Sequence, residues 1–454
     1  MNVLLIRPKP DKETIGLQNV MICEPLELEY VASLIEGEGH RVFIADMILE
    51  KRSLKRILKD FQPDIAGMTA YITHVHTVKS YARQIKALLP QCKTAVGGVH
   101  AEVVPEDFQD TAIDYILESS SLKTFRDLIS GLEQGVNDFT NLHGLWSENN
   151  PPCIKEDTFD YPWPDREKVK QYRHRYYYMF HNPCALMKTS FGCPYPCSFC
   201  FCRQITGGRY YTRALHDVVN ELAAIKEQEV YIVDDNFLVD RDRVLSFCHN
   251  IKERKLDKRF LIYGRADFIA QNPDVIKEFA EVGLQAVIVG LESSSQEELN
   301  KYNKHSSLAL NEKAVSILKA YGVECYATLI LGLNWDEQRF LDLKNWLKKL
   351  GLIFVNLQPF TPLPGTPLFD EYREQLIVSR QQFSKWDLAH VTVKPDKMST
   401  RRYYWNIIKL YYAITMDPAS IAYLVKKYGW KKNLKLSYGA FRITLQYLRK
   451  VLVG

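Results

Sequence analysis

Short apolar strands alternate with helical patterns along the first 125 residues of the chain. Apolar runs such as VLLIRP, RVFIADM and DIAGMTAY are separated by segments with helical spacing, such as ELEYVASLIEGEG and VKSYARQIKALL. Strands that alternate with helices in this way are typical of βαβ units, whose strands are parallel. The pattern therefore predicts an α/β domain with a parallel sheet at the start of the chain.

Polar residues and glycines follow the predicted strands of this first sheet. Ligands of open parallel sheets bind beyond the carboxyl ends of the strands. We expect the following residues to gather there: Arg7, Asp46, Thr69, Tyr71 and the turn Gly97-Gly98-Val99-His100. Two adjacent glycines allow the backbone to approach a ligand closely. On spacing alone, a tight exit from the strand explains the two glycines equally well.

The periodicity fails between about Gly135 and Tyr178, where the chain is rich in Pro, Asn and Asp. From Ala185 onward the alternation returns, with six apolar strands and five helical patterns up to FVNLQPF. This number of strands suits a curved, partly closed parallel barrel. We therefore predict an α/β domain over 1–134, a linker over 135–178, a partial (β/α)6 barrel over 179–370 and a helical, basic C-terminal region over 371–454.

Composition and charge narrow the class of protein. The chain has 454 residues, of which 46% are hydrophobic and 25% charged, as in ordinary globular proteins of more than one domain. No apolar run reaches the roughly 18 residues of a membrane span, and no signal peptide is apparent, so we expect a cytoplasmic protein. Eight Lys or Arg and no acidic residue lie between residues 418 and 454. Because nucleic-acid binders more often carry a basic stripe through their main domain, we expect no nucleic-acid partner.

Four of the ten cysteines crowd between residues 193 and 202, which favours metal binding over a disulfide framework. Cys193, Cys197 and Cys200 follow the first predicted barrel strand, at the rim where the active sites of barrels collect. Thiolates select zinc or iron-sulfur clusters. A structural or electron-carrying site normally has four ligands, whereas this loop supplies three. Cys202 is the alternative fourth ligand, but its spacing of two from Cys200 predicts that it points away.

The loop resembles that of the radical S-adenosylmethionine (SAM) superfamily. The C-x3-C-x2-C motif, with an aromatic residue before its third cysteine, is matched by Cys193, Cys197, Phe199 and Cys200. The resemblance implies a [4Fe-4S] cluster held by the three cysteines, whose remaining iron chelates SAM through its amine and carboxylate. It also implies that the reduced cluster cleaves SAM into methionine and a 5′-deoxyadenosyl radical, which abstracts hydrogen from the substrate.

Later segments of the barrel resemble the SAM-binding segments of the same superfamily. YIVDDNF implies that Asp234 or Asp235 receives the methionine ammonium, although a carboxylate that caps the next helix is the alternative. GRADF implies that Arg265 binds the methionine carboxylate or the ribose. GLESSS implies that Glu292 and Ser293 lie near the ribose.

The last two barrel strands carry the resemblance to about residue 370. LILGLNWDE is similar to the strand that packs by the adenine, which implies that Gly332 gives the backbone clearance there. QPFTPLPGTPLFDEY is typical of the last strand and its exit, so we expect residues 363–366 to form a loop at the rim.

The first domain resembles the cobalamin-binding domains fused to radical SAM enzymes, in EPLELEYVASLIEGEGHRVFIAD, DIAGMTA and GGVHAEVVPE. The resemblance implies a flavodoxin-like or Rossmann-like domain that contacts cobalamin through Arg7, Thr69, Tyr71, Gly97, Gly98, Val99 and His100. The Asp-x-His-x-x-Gly motif that gives cobalt a histidine ligand is absent, since the chain reads Asp46-Met47-Ile48-Leu49. Three histidines are candidates for the corrin edge, although an ordinary core or surface position is the alternative for each: His74, His76 and His100.

One segment departs from the pattern of this family. Relatives commonly have a Gly-Glu-Gly-Glu run after the fifth strand, whereas this chain has Glu118-Ser119-Ser120-Ser121. If the pocket were degenerate, the domain would act as a scaffold or a substrate clamp.

The two resemblances together imply a cobalamin-dependent radical SAM enzyme. In such an enzyme methylcobalamin, remade from a second SAM, delivers a methyl group to a radical on an unactivated carbon of the substrate. One alternative keeps the cofactors but catalyses oxidative cyclisation or rearrangement, for example of a tetrapyrrole. An alternative of another class is a non-catalytic iron-sulfur or zinc module that binds a partner.

The partners implied are a small-molecule substrate and a reductase, such as flavodoxin or ferredoxin, that supplies the electron. In the C-terminal region, RRYYWNIIKLYYAITM and SYGAFRITLQYLRKVLV interleave aromatic, aliphatic and basic residues. This pattern is typical of an amphipathic helix on a membrane surface, and also of helices packed on the barrel, which we favour. A lipophilic substrate such as a polyprenoid or a porphyrin would fit the membrane alternative, and peptide or antibiotic-precursor substrates remain open.

Overall fold

The computed structural model describes residues 1–16, 18, 20–37, 39–148 and 159–453. Its strands are β1 (Asn2–Arg7), β2 (Met21–Ile22), β3 (Arg41–Asp46), β4 (Ile65–Thr69), β5 (Lys93–Gly97), β6 (Tyr115–Ile116), β7 (Tyr177–Tyr178), β8 (Cys184–Met187), β9 (Ser190–Phe191), β10 (Tyr211–Thr212), β11 (Glu229–Ile232), β12 (Arg259–Gly264), β13 (Leu284–Glu292), β14 (Glu324–Leu331) and β15 (Phe354–Pro359). Its α-helices are α1 (Leu26–Glu36), α2 (Leu54–Phe61), α3 (Val75–Leu88), α4 (Val99–Val103), α5 (Ser121–Glu133), α6 (Cys202–Thr206), α7 (Leu215–Ala224), α8 (Arg241–Glu253), α9 (Ala266–Gln271), α10 (Pro273–Glu281), α11 (Gln296–Lys301), α12 (Leu308–Ala320), α13 (Glu337–Leu350), α14 (Pro367–Tyr372), α15 (Thr400–Thr415), α16 (Pro418–Tyr428) and α17 (Trp430–Val453).

The N-terminal half forms a parallel sheet covered by helices on both faces. Its strand order is β3-β1-β4-β5-β6, and every pairing is parallel. One face packs against α2 and α3 and the other against α1 and α5, which explains why β1 is apolar at successive positions rather than alternately. The strand order reverses between β1 and β4, so the crevice for a ligand opens at the carboxyl ends of these two strands.

The second half forms a partial barrel. Six parallel strands follow in the order β15-β14-β13-β12-β11-β8, and described helices connect them along the outer face. The inward-facing side chains of this sheet mix aliphatic residues with three aromatic ones, Tyr231, Tyr326 and Phe354. The predicted α/β architecture with a partial barrel is confirmed.

The predicted linker and C-terminal region have less regular structure than the two sheets. Between residues 159 and 178 the chain has two short 3-10 helices and β7, while residues 149–158 of the predicted linker lie outside the described residues. Residues 373–399 contain only two short 3-10 helices, so continuous helix begins at Thr400. The helical C-terminal end is confirmed, whereas the four boundaries stay predictions. Among the described residues, no helix is long and apolar enough to cross a membrane.

A buried carboxylate joins the N-terminal domain to the barrel. Glu24, just before α1, is 3% exposed and accepts a hydrogen bond from the backbone N–H of Leu186 on β8 at 2.5 Å. Its carboxylate also forms ion pairs with Arg173 at 3.1 Å and Arg166 at 3.8 Å. Next to it, Tyr30 of α1 packs into the aromatic interior of the barrel. Helix α1 of the N-terminal domain therefore covers one side of the barrel.

We predict that Glu24→Ala lowers the free energy of unfolding by about 2 to 3 kcal/mol, because it leaves the buried backbone N–H of Leu186 without its acceptor and removes one carboxylate partner from each of Arg166 and Arg173. Urea denaturation followed by circular dichroism measures this change. The matched control is Glu36→Ala, which removes a half-exposed ion pair with Lys168 between the same two regions and should cost at most about 1 kcal/mol. Equal effects of the two substitutions would contradict the role given to Glu24.

Candidate functional site

The cysteine loop lies at the carboxyl end of β8, just after the short strand β9. Cys193, Cys197 and Cys200 are all half-buried on this loop. Burial, together with the neighbouring thiols of Cys200 and Cys197, raises the pKa of Cys193 to about 11, so the three thiols lie close enough to influence one another. Within the described residues, no three His, Cys, Asp or Glu side chains converge as they would on a single metal ion. The ligands of a cubane cluster bind different irons and do not need to converge on one point.

Cys202 begins α6 and lies beside Cys200. A hydrogen bond with the Cys202 side chain lowers the pKa of Cys200, and Cys202 Sγ is 3.6 Å from Oδ1 of Asp235. The prediction that Cys202 points away from Cys200 is therefore wrong. The start of a helix at Cys202 turns its side chain back toward the loop, which a count of intervening residues does not reveal.

Two cationic side chains face the middle cysteine of the loop. Arg265 Nη1 lies 3.8 Å from Cys197 Sγ, and the guanidinium stacks over the Tyr195 ring at 3.6 Å from its centroid. Burial raises the pKa of Cys197, whereas the charges of Lys304 and Arg265 lower it. Cluster ligands are thiolates, so cations near Cys197 suit a ligand at this position.

The carboxylate of Asp234 forms hydrogen bonds to the strand that leads into the cysteine loop. It is 1% exposed and accepts hydrogen bonds from the backbone N–H and the hydroxyl of both Thr189 and Ser190, at 2.5 to 3.0 Å. Asp235 is more open and accepts from the backbone N–H of Gly192 at 2.8 Å. Neither residue caps α8, because Asp240 does so. Of the two carboxylates predicted to receive an ammonium, Asp235 is the one with free surface.

The other residues predicted to bind SAM lie on neighbouring strand ends. Glu292 ends β13 with a φ of +58° and pairs with the buried Lys304 at 2.8 Å. Ser293 follows it, and its hydroxyl donates to Glu298. Gly332 lies after β14, where a Cβ would come within 2.5 Å of Nε1 of Trp335. Close approach of neighbouring side chains therefore requires glycine there.

Phe199 packs edge-on against Tyr302, with ring centroids 5.9 Å apart. Lys304 Nζ lies 5.9 Å from the Phe199 centroid, so this ring stands between the cysteine loop and the pair formed by Glu292 and Lys304. The aromatic residue of the motif thus shields one side of the loop.

The strand ends of the first sheet form a polar cluster. Arg7 donates to both oxygens of Asp46 and to the backbone carbonyl of Cys23. Glu27 of α1 lies nearby, and burial raises its pKa, whereas Arg7 and Thr69 lower it. All of these groups lie at the reversal in strand order, where a ligand is expected.

The glycine turn after β5 has a backbone that only glycine adopts readily. Gly98 has φ +95° and ψ 178°, and a Cβ there would lie 2.8 Å from the Thr69 hydroxyl and 2.9 Å from the backbone nitrogen of Ala70. Gly97 is buried and Val99 half-buried. His100 turns inward and binds Asp107 at 2.9 Å, so its side chain is directed to a protein partner.

The two candidate sites face one another. Helix α4, which begins after Gly98, contacts α6, which begins at Cys202. Tyr71 is 53% exposed and Tyr263 39% exposed, yet burial among protein atoms raises the pKa of both, and the charge of Tyr263 also raises the pKa of Tyr71. Cys23 of the first domain and Cys202 of the loop also act on Tyr263. These tyrosines therefore lie at the space between the two sheets.

The remaining candidates lie at the edge of this space or away from it. His74 is buried and accepts from the Tyr71 backbone at 3.3 Å, while His76 binds the Gln381 carbonyl at 3.0 Å. Ser121 donates to Glu102 and lies against Gly97. The segment that departs from the family pattern is thus part of the wall behind the glycine turn.

Three residues of the site were not among the sequence predictions. Glu27 is in the first turn of α1, and only its place in EPLELEY pointed to the crevice. Lys304 and Tyr263 gave no signal, because a lysine after a short helix and an aromatic residue in a strand are common. Both become part of the site only when the strands are side by side.

Two family descriptions match the chain. Residues 14–129 match the B12 binding domain, and residues 187–347 match the Radical SAM superfamily. The residues present fit the implied cofactors, since three thiols with cationic neighbours suit an iron-sulfur cluster and the glycine turn leaves room at a strand end.

Similar proteins and structures cover most of the chain. It is 28% identical to the hopanoid C-3 methylase of Methylococcus capsulatus, over 90% of this chain and 79% of that protein. It is 23% identical to the anaerobic magnesium-protoporphyrin IX monomethyl ester cyclase of Rubrivivax gelatinosus, over 94% of this chain and 81% of that protein.

Two solved structures share the fold. The radical SAM methyltransferase TsrM from Kitasatospora setae superposes with a TM-score of 0.70 at 18% identity, covering 92% of this chain and 89% of that one. The cobalamin-dependent radical enzyme OxsB gives a TM-score of 0.72 at 16% identity, covering 98% of this chain and 71% of that one. The chain thus carries a B12 binding domain over residues 14–129, followed by a Radical SAM domain over residues 187–347.

Proposed function

We propose that the protein is a cobalamin-dependent radical SAM methyltransferase that methylates an unactivated carbon of a small lipophilic molecule. The observation that carries this proposal is the contact between α4 and α6, which brings the glycine turn close to the cysteine loop. Methyl transfer to a substrate radical needs both cofactors within reach of one substrate. A non-catalytic metal module would have no use for this juxtaposition.

Cys193, Cys197 and Cys200 are the proposed cluster ligands. When bound, the cluster and SAM supply one-electron cleavage and a carbon radical, and cobalamin supplies methyl transfer. The protein's own part is to hold the loop and exclude water. Asp234 fixes the strand before the loop, and Arg265 places a positive charge by Cys197.

The proposed SAM-binding residues act from four strand ends. Asp235 is proposed to receive the ammonium of the methionine, since its carboxylate is partly open. Arg265, Glu292 and Ser293 are proposed to contact the methionine carboxylate and the ribose of SAM. Phe199 is proposed to lie beside SAM at the cysteine loop. Gly332 is proposed to leave room for the adenine.

The proposed cobalamin site is the crevice between β1 and β4. Gly97, Gly98 and Val99 form the backbone turn at its edge, and Arg7 and Thr69 end the two central strands. Tyr71 presents its exposed ring to the same space. The side chain of His100 is bound to Asp107, so it contributes to the site through the backbone of its turn.

A lipophilic substrate is supported by the tyrosines at the space between the two sheets and by the relatives. Tyr71 and Tyr263 give a wall with apolar ring faces and hydroxyl edges, which suits a large, mostly apolar molecule. The related hopanoid methylase acts on a hopanoid and the related cyclase on a porphyrin, as their names state. Both are lipophilic polycyclic compounds.

The proposed partners extend to a reductase such as flavodoxin or ferredoxin, because cluster reduction needs an electron from outside the chain. We also propose that the C-terminal region contacts a membrane, where a lipophilic substrate would be found. A cytoplasmic location is proposed from the crowded cysteines, which call for a reducing compartment.

The first test is the set of nucleoside products. Protein reconstituted without oxygen with iron, sulfide and cobalamin, then supplied with SAM, reductant and a candidate hopanoid or porphyrin, should form both 5′-deoxyadenosine and S-adenosylhomocysteine, measured by mass spectrometry. 5′-Deoxyadenosine alone would contradict methyl transfer and favour oxidative cyclisation. Neither product, from protein with a full cluster, would contradict radical SAM chemistry altogether.

A pair of cysteine substitutions tests the ligand set. Cys197→Ala should abolish cluster incorporation, measured as iron and sulfide per chain and by the visible absorbance of the cluster, because the remaining loop supplies too few ligands. Cys202→Ala is the matched control on the same loop and should keep the iron content. Loss of the cluster in both variants would make Cys202 a fourth ligand and favour the non-catalytic module.

A pair of glycine substitutions tests the cobalamin turn. Gly98→Ala should lose most of the bound cobalamin while the cluster content is kept, since its Cβ has no room beside Thr69 and Ala70. Cobalamin per chain is measured by absorbance after gel filtration. Gly39→Ala is the control, because Gly39 also has a positive φ, of +83°, but nothing within 4 Å of its Cβ. Equal cobalamin loss in both variants would place the binding site elsewhere.

A further inference from the structure

Helix α17 carries a row of exposed apolar side chains that the fold of the chain does not use. Six residues form this row, each 40% to 76% exposed: Trp430, Leu434, Tyr438, Phe441, Leu445 and Leu452. Their spacing of four, four, three, four and seven residues keeps them within a strip about 80° wide on an α-helix. We call this row the apolar stripe.

A different face of α17 holds the helix to the protein. Tyr447 is buried and packs against Tyr404 of α15, with ring centroids 5.9 Å apart, and Ile443 and Val451 pack on the barrel core. The helix is therefore anchored without the apolar stripe. Helix α15 adds exposed apolar residues of its own beside it: Trp405, Tyr412 and Met416.

Basic residues border the apolar stripe on one side. Lys431, Lys435 and Arg442 each follow a member of the stripe by one residue, which places them about 100° further round the helix. Arg449 lies on the same side and is exposed. No acidic residue occurs between residues 418 and 454, so no charge of this region offsets them.

This arrangement fits a lipid surface better than a second copy of the chain. An antiparallel symmetric pairing of two stripes would bring the two basic borders together, and like charges repel. At a bilayer surface, in contrast, apolar side chains enter the boundary of the acyl chains, aromatic rings lie at the level of the headgroups, and Lys and Arg reach the phosphates. With 24 residues, α17 can lie along the surface for about 36 Å.

We propose that the apolar stripe and its basic border dock the protein on an anionic lipid bilayer, with α17 parallel to the membrane plane. This deepens the membrane contact proposed above by naming the face and the lipid charge, and it does not depend on the proposed methyl transfer. The docked helix touches the segment that follows β1, since Gln446 donates to the Thr14 carbonyl at 3.4 Å. Docking therefore brings the membrane close to a loop that starts at the crevice.

Vesicle co-sedimentation of the full-length holoenzyme tests the proposal. The protein should bind vesicles of phosphatidylcholine mixed with phosphatidylglycerol more tightly than pure phosphatidylcholine vesicles, and added salt should weaken this binding. The double variant L434Q/F441Q should lose at least about tenfold in vesicle affinity, since each buried apolar side chain contributes strongly. The triple variant K431Q/R442Q/R449Q should lose at least about tenfold on anionic vesicles only.

The control is K55Q/K59Q/K93Q, which removes the same charge from exposed positions of the first domain and should bind as the unchanged protein does. Circular dichroism and cluster content confirm that each variant is folded. No preference for anionic vesicles, or stripe and border variants that bind as the control does, would overturn the proposal. A second result would also overturn it: light scattering shows a dimer, the double variant is a monomer, and neither binds vesicles. The stripe would then join two copies of the chain.

Discussion

The buried carboxylate of Glu24 is the constraint on which the arrangement of the two sheets depends. It accepts the backbone N–H of Leu186 on the first barrel strand and pairs with Arg173 and Arg166. Glu29 lies nearby with both oxygens unbonded, and burial together with Glu24 raises its pKa far above the usual range. The two arginines pair with other carboxylates as well as with Glu24, Arg166 with Glu221 and Arg173 with Glu227. An ion pair in such a place fixes geometry more than it adds stability, since its gain offsets the cost of removing charges from water.

This junction also brings the two candidate cofactor sites close together. Helix α1 begins directly after Glu24 and inserts Leu26 and Tyr30 into the open side of the barrel. The strand ends of both sheets then face the space between the two domains, with Tyr71 on one side and Tyr263 on the other. In the proposed reaction a substrate would lie in this space, between the glycine turn and the cysteine loop, within reach of both cofactors.

Residues from other strands hold the cysteine loop in position. Asp234 satisfies four donors on the strand before the loop, Arg265 covers the thiol of Cys197, and Lys304 pairs with Glu292 across the adjacent strand end. These contacts hold the loop from three sides. Its own sequence provides the ligands, while its position comes from residues that are 30 to 110 places away along the chain.

The sequence by itself determined the fold class of each domain and the iron-sulfur chemistry of the cysteine loop. Alternation of apolar and helical segments is a local property, and the spacing of Cys193, Cys197 and Cys200 is written in eight consecutive positions, so both could be recognised without a structure. Only the tertiary structure decided that the Asp234 carboxylate is used up in hydrogen bonds to the strand before the loop. It also decided that Cys202 lies beside Cys200. It alone brought Lys304 and Tyr263 to the site. The physical reason is that burial and long-range pairing depend on which strands become neighbours. Local spacing carries no information on that choice.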